Sequence, residues 1–136
     1  MRWFHNGAPA AARERAQQAG QRAEDSALAH LQQHGLRLVQ RNYRTPGRGG
    51  GEIDLIMREP DGTLVFVEVR LRRSRDFGGA GASIGAAKRR RIVFAARHFL
   101  AGQRVWPRTR FDAVLIDGEG GQVQWLRAAF DADDAF

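Results

Sequence analysis

Apolar residues recur along this chain first at helical and then at strand spacing, and each change of period marks a new element. Ala23, Ala27, Leu28 and Leu31 share one helical face, and Gly35 stands where a helix ends on a left-handed residue, so the spacing predicts a helix over about 20–34. Residues 1 to about 18 are rich in Ala, Arg and Gln without an apolar stripe and read as a flexible or partly helical arm. LRLVQRNY is a short β-prone run, and TPGRGGG after it reads as a loop or wide turn. The clearest signal follows: EIDLIMR and LVFVEVRLR flank a Pro-Asp-Gly turn and should pair as antiparallel strands over about 52–58 and 64–71. RRSRDFGGAGASIGAA is glycine-rich and basic, and reads as a mobile loop. Ser83 is placed to cap a second helix running to about Leu100, because Ile84, Ile92, Ala95, Ala96 and Phe99 share a face and Gly102 closes it. TRFDAVLID and QVQWL, separated by GEGG, read as a further hairpin, and DADDAF as a frayed acidic tail.

A helix between the third and fourth strands requires those strands to pair in parallel, which makes the sheet mixed. The expected fold is α/β: a small mixed β-sheet with a central antiparallel hairpin, flanked by α-helices, in the order αβββαβ. At 136 residues the chain has room for one domain, placed at about 19–126 between the basic arm and a tail from 127.

Composition narrows the chemistry. The chain has no cysteine, which excludes thiol nucleophiles, disulfides, zinc ribbons and iron–sulfur clusters. The N-terminal stretch lacks an apolar signal core, and no segment nears the ~18 uncharged apolar residues of a membrane span, so a cytoplasmic protein with no membrane partner is expected. Basic residues exceed acidic ones, 22 to 15, for a formal charge of +7 that favours polyanions. Lys88 is the single lysine; the other 21 basic residues are arginines, which grip phosphate but do not give up a proton.

Within the central hairpin, Ile53, Leu55 and Met57 should share one face of the first arm and Glu52, Asp54 and Ile56 the other. Leu64, Phe66, Glu68 and Arg70 line one face of the second arm, and a turn centred on Asp61 sets Asp54 opposite Glu68. Like charges with Cβ atoms ~4.5–5.5 Å apart destabilise a sheet. Either the register is displaced and each acid meets an arginine, or a divalent cation sits between them; carboxylate oxygens suit Mg²⁺ or Mn²⁺. Glu24 shares the stripe of Leu28 and Leu31, where a carboxylate must be paired, ligated or turned to water. Asp25 points elsewhere and reads as surface.

The ordered series A-G-x-x-A-E-D-x-A-L, R-N-Y-R, G-E-I-D-L-I, V-F-V-E-V-R, K-R-R-R-I and R-F-D-A-V, over residues ~18–117, resembles the YraN family of small bacterial proteins (uncharacterised protein family 0102). That family is similar to minimal members of the restriction-endonuclease-like PD-(D/E)xK superfamily and, in layout, to archaeal Holliday-junction resolvases. The resemblance implies that Glu24, Asp54 and Glu68 are catalytic acids holding Mg²⁺ or Mn²⁺, and that Arg70 occupies the place of the motif lysine. Arginine cannot act as a general base at its pKa above ~12, but it can stabilise a charged transition state. Lys88 is the alternative amine, and loss of turnover with retained binding is the third outcome.

Arg72, Arg73, Arg75, Lys88, Arg89, Arg90 and Arg91 surround the glycine-rich loop after Glu68 and read as a nucleic-acid-binding surface for phosphate contacts, or else as a solvated basic face. No base-reading helix is recognisable, so recognition by shape is expected. Trp125, in a strand, reads as core; Trp3 and Trp106 are unassigned; His5, His30, His34 and His98 show no zinc spacing. Asp112 reads as the structural partner of a nearby arginine. Three functions follow: a metal-dependent endonuclease acting on DNA, with the branched or structured DNA of the resembling resolvases as the candidate substrate; a non-catalytic nucleic-acid-binding module; and a protein-interaction adaptor. RNA is not excluded as the polyanion, and a homodimer is in keeping with the junction-acting relatives.

Overall fold

Each apolar run becomes an element in the computed structural model of the protein, which describes residues 7–72, 84–118 and 121–135. The order is α1 (Gly7–Gln33), β1 (Arg37–Arg44), β2 (Glu52–Arg58), β3 (Leu64–Arg72), α2 (Ala86–Ala101), β4 (Thr109–Asp117) and β5 (Val123–Phe130), followed by a 3-10 turn at Ala132–Ala135. The five strands form one sheet in sequence order. β3 and β4 run parallel, as the α2 crossover demands, and the other neighbours are antiparallel.

Alternation along β3 divides the core between the two faces of the sheet. Val65 and Val67, with Leu55, Met57, Val114 and Ile116, pack under Ala23, Ala27 and Leu31 of α1. Leu64 and Phe66, with Ile56, Phe111 and Ala113, pack against Ile92, Val93, Ala95, Ala96 and Leu100 of α2. Burying a large aliphatic or aromatic side chain contributes ~1.5–3 kcal/mol, so each helix is fixed chiefly by its buried stripe.

Four features differ from the sequence expectation. α1 begins at Gly7 rather than near residue 20. Among its described side chains the first buried one is Ala23, so the preceding turns carry no apolar stripe to reveal them; their alanine-rich composition favours the helix by propensity instead. α2 starts at Ala86, with Gly85 at the N-cap and no side-chain cap bond, two residues after the expected cap Ser83, which lies outside the described residues with most of the expected mobile loop. β5 continues to Phe130, whose ring stacks on Phe111 at 4.9 Å, so the strand reaches past the expected boundary at 126.

The fourth difference bears on the site. Ile53 does not share a face with Leu55 and Met57: it packs in the cluster under α2, whereas they lie under α1. The β1 partners switch in step, since Arg41, opposite Leu55, reaches acids of α1 while Tyr43, opposite Ile53, packs on the α2 side. Between them Asn42 has φ +52°, a left-handed conformation that asparagine tolerates better than most residues. The sheet therefore exchanges faces at the level of Asn42 and Asp54.

The TPGRGGG segment is pinned rather than loose. Thr45 accepts the Gly51 N–H at 2.7 Å through Oγ1, and α2 packs so closely that any β-carbon at Gly51 would collide with the Arg91 carbonyl.

Candidate functional site

The β2–β3 ladder runs from Arg58–Leu64 to Leu55–Val67, the register expected from the turn, and Asp54 and Glu68 are the next residues on the two strands beyond its last pair. At this level the Val69 N–H donates to Asp54 Oδ2 at 2.8 Å. Glu68 lies on the α2 side of β3 and is 7% exposed. Burial, followed by the charge of Asp54, pushes its carboxyl up to about 8. Lys88 opposes the shift from α2, with Nζ 3.7 Å from Glu68 Oε2, and Arg70 opposes it more weakly. The lysine considered from sequence as an alternative amine thus reaches this acid.

Glu24 projects from α1 on the other side of Asp54. Its carboxyl is also raised, first by burial and then by the charge of Asp54. Arg41 Nη2 lies 3.3 Å from Glu24 Oε1 and 2.9 Å from Asp25 Oδ1. Turned to donate, the Asn42 amide reaches the two Glu24 oxygens at 3.2 and 3.3 Å. Glu24 also lines a polar groove of about 460 Å³ with Glu14, Gln17, Gln21 and Arg44. Asp25 is exposed, as expected for surface.

Asp54 is thus the charge felt by both of the other acids. Among the described residues no three carboxylates or histidines stand gathered as a ready cation cage. The donor set nevertheless fits a hard divalent ion: its ligands would be carboxylate oxygens, and a cation would favour the ionised form of a carboxyl that burial and a second acid raise.

Arg41 and Asn42 were not among the site residues read from sequence. The available signal was the R-N-Y-R run, with an asparagine amid β-prone neighbours. Of the basic set, Arg70 and Arg72 follow Glu68 on alternate positions of β3. Lys88 turns toward Glu68, Arg89 is half-buried, and Arg90 and Arg91 are exposed; Arg73 and Arg75 lie outside the described residues.

Asp112 has the structural role expected of it. It is fully buried and accepts from Arg110 Nε and Nη2 at 2.8 and 2.9 Å, from Trp125 Nε1 at 2.9 Å and from the Ala128 N–H at 2.9 Å. Trp125 is half-buried against the α1-side cluster, with His30, His34 and the Arg127 guanidinium around its ring. His98 bonds the Tyr43 hydroxyl. Trp106 is exposed, and Trp3 and His5 lie outside the described residues.

No helix of the described residues is long and apolar enough to cross a membrane. Residues 23–116 match the uncharacterised protein family UPF0102. The chain is 73% identical over 114 residues to a UPF0102 protein of Paracidovorax citrulli, covering 84% of this chain and 83% of the relative. It is 68% identical over 114 residues to that of Acidovorax sp. strain JS42, covering 84% and 85%, and 59% identical over 116 residues to that of Cupriavidus taiwanensis, covering 85% of each. With the match running from the buried end of α1 through α2 and the strands that carry Asp54, Glu68 and Asp112, this chain belongs to the uncharacterised protein family UPF0102.

Proposed function

We propose that this chain is a divalent-metal-dependent, nuclease-like protein that binds DNA and hydrolyses phosphodiester bonds, with branched or structured DNA as the preferred substrate. The observation that carries the reading is the Asp54–Glu68 pair, two interacting acids just beyond the last ladder pair of the β2–β3 hairpin, with Lys88 3.7 Å from Glu68. Asp54 and Glu68 would hold Mg²⁺ or Mn²⁺, with Glu24 on the flank of Asp54. When bound, such an ion polarises a phosphoryl oxygen and lowers the pKa of a water. The chain's own residues do the rest. The Val69 N–H fixes Asp54, and Lys88 and Arg70 supply positive charge beside the acids, where a phosphate would accumulate charge. Arg90 and Arg91 offer phosphate-gripping guanidinium groups on the same helix as Lys88.

One observation favours a second reading, a binding module without turnover. Arg70 stands where the resembling nucleases carry lysine, and Arg41 already occupies Glu24. A cleavage assay on labelled single-stranded, duplex, flapped and four-way-junction DNA with Mg²⁺ or Mn²⁺ separates the two. Metal-dependent cutting that disappears in Asp54→Asn and weakens in Lys88→Gln supports the nuclease. A silent wild type beside an active Arg70→Lys means a site disabled at one position. Binding by all variants with no cutting by any establishes the module.

A further inference from the structure

A second feature lies along α2, beyond the acids. A cleft of about 410 Å³ is lined by Gly49, from the pinned glycine loop, and by Ala87, Arg90, Arg91, Phe94 and Arg97 of the helix. Its width is set by backbone, because α2 rests directly on Gly51. Its volume falls within the ~300–1,000 Å³ of small-ligand pockets. Phe94 is 51% exposed and belongs to neither core cluster, although its neighbours Ile92, Val93, Ala95 and Ala96 are all buried. An aromatic ring open to water among arginines, in a chain of net charge +7, suits a ligand with a flat apolar face and an anionic backbone.

We infer that this cleft is a subsite for one unpaired base of a nucleic-acid strand, stacked on Phe94, with the adjoining phosphates met by Arg90, Arg91 and Arg97. Aromatic rings hold unpaired bases by stacking without reading their sequence, and guanidinium groups track the backbone. A paired base keeps its face inside the duplex and leaves Phe94 without a partner. Ala87 lines the cleft and Lys88, the next residue, reaches Glu68, so a strand seated here would continue toward the acids. The subsite rests on the nucleic-acid-binding reading above and narrows it to strands with unpaired bases.

The test is fluorescence anisotropy in EDTA, using a short fluorescein-labelled thymidine strand, the same strand with abasic residues, and a blunt duplex of equal length. Phe94→Ala should weaken the base-bearing strand about ten-fold, leave the abasic strand and the duplex unchanged, and be rescued by Phe94→Trp. Arg91→Gln should weaken all three probes and flatten their salt dependence by about 0.7–0.9 in log–log slope. Unchanged binding in Phe94→Ala, or equal loss on the abasic strand, overturns the subsite. So does a dimeric wild type, measured by light scattering, that becomes monomeric in Phe94→Ala, since the face is then a contact between copies. A wild type that binds none of the probes removes the subsite and the nucleic-acid reading together. Phe94-dependent binding without cleavage in Mg²⁺ or Mn²⁺ leaves the subsite standing and removes only the hydrolytic reading. Metal-dependent cleavage alongside Phe94-independent binding does the reverse.

Discussion

Asp112 and Glu68 are buried acids on adjacent parallel strands, and Glu68 pairs in register with Ala113, the residue next to Asp112. Their surroundings are opposite. Asp112 accepts from two arginine nitrogens, an indole N–H and a backbone N–H, and Arg110 is itself anchored on Glu59 at 2.7 Å. Hydrogen bonding to Asp112 raises the Arg110 pKa above its ordinary value, so the guanidinium keeps its charge. Glu68 has one ammonium at 3.7 Å and a second acid against it, and it holds its proton instead. Depth of burial does not separate a structural acid from a candidate functional one; the supply of donors does.

The largest effect is expected at the saturated acid. Asp112→Ala leaves Arg110 with Glu59 alone and the Trp125 and Ala128 N–H groups without their acceptor, and breaking a buried pair in this way costs about 3–5 kcal/mol. Urea denaturation measures it. A loss below about 1 kcal/mol would erase the contrast, because exposed ion pairs contribute that little.

At Glu68 the sign is reversed. Its native carboxyl titrates at about 8 against an ordinary 4.5, so between those values the folded chain holds a proton that the unfolded chain has released. The associated stability is fully present below pH 4.5 and is lost as the pH rises to about 8, by on the order of a few kcal/mol. Thermal melting across this window should show the decline in wild type and its near absence in Glu68→Gln. An equal decline in both would place the proton elsewhere.

Relieving the repulsion should have a smaller effect. Asp54→Asn leaves an oxygen to accept the Val69 N–H and removes the charge facing Glu68, so without metal the variant should be more stable by on the order of 1 kcal/mol. Millimolar Mn²⁺ should raise the melting temperature of wild type and not of Asp54→Asn, because an ion that binds only the folded state stabilises it. A variant destabilised without metal would give Asp54 the role that Asp112 has.

How far each acid was legible in the sequence follows the same division. The Asp54–Glu68 register could be read because a single Pro-Asp-Gly turn fixes it, and the parallel β3–β4 pairing because a helix lies between those strands. An arginine partner for Asp112 was readable from R-F-D-A-V, but the Trp125 and Ala128 donors come from β5, where a register shift and a φ of +52° at Ala128 are set by packing. The change of face at Ile53 was illegible for the same reason, since strict alternation assumes no left-handed residue opposite. The tight fit of Gly51 on α2 depends on a carbonyl far along the chain, and the early turns of α1 lack the stripe by which helices are recognised.

Arg41 offers the finest adjustment of the contrast, because it gives Glu24 part of what Arg110 gives Asp112. It is shared with Asp25, whose side chain is 61% exposed, and such a contact is worth at most about 1 kcal/mol. Arg41→Gln should therefore lower stability without metal by less than that. With Arg41 gone, Glu24 faces Asp54 with only the Asn42 amide as a described partner, and a cation gains an acid that no longer has a guanidinium to displace. The rise in melting temperature with Mn²⁺ should then be larger in Arg41→Gln than in wild type. A smaller rise would mean that Arg41 holds Glu24 in position for the ion rather than competing with it, and would make the Arg41–Glu24 contact a built part of the site.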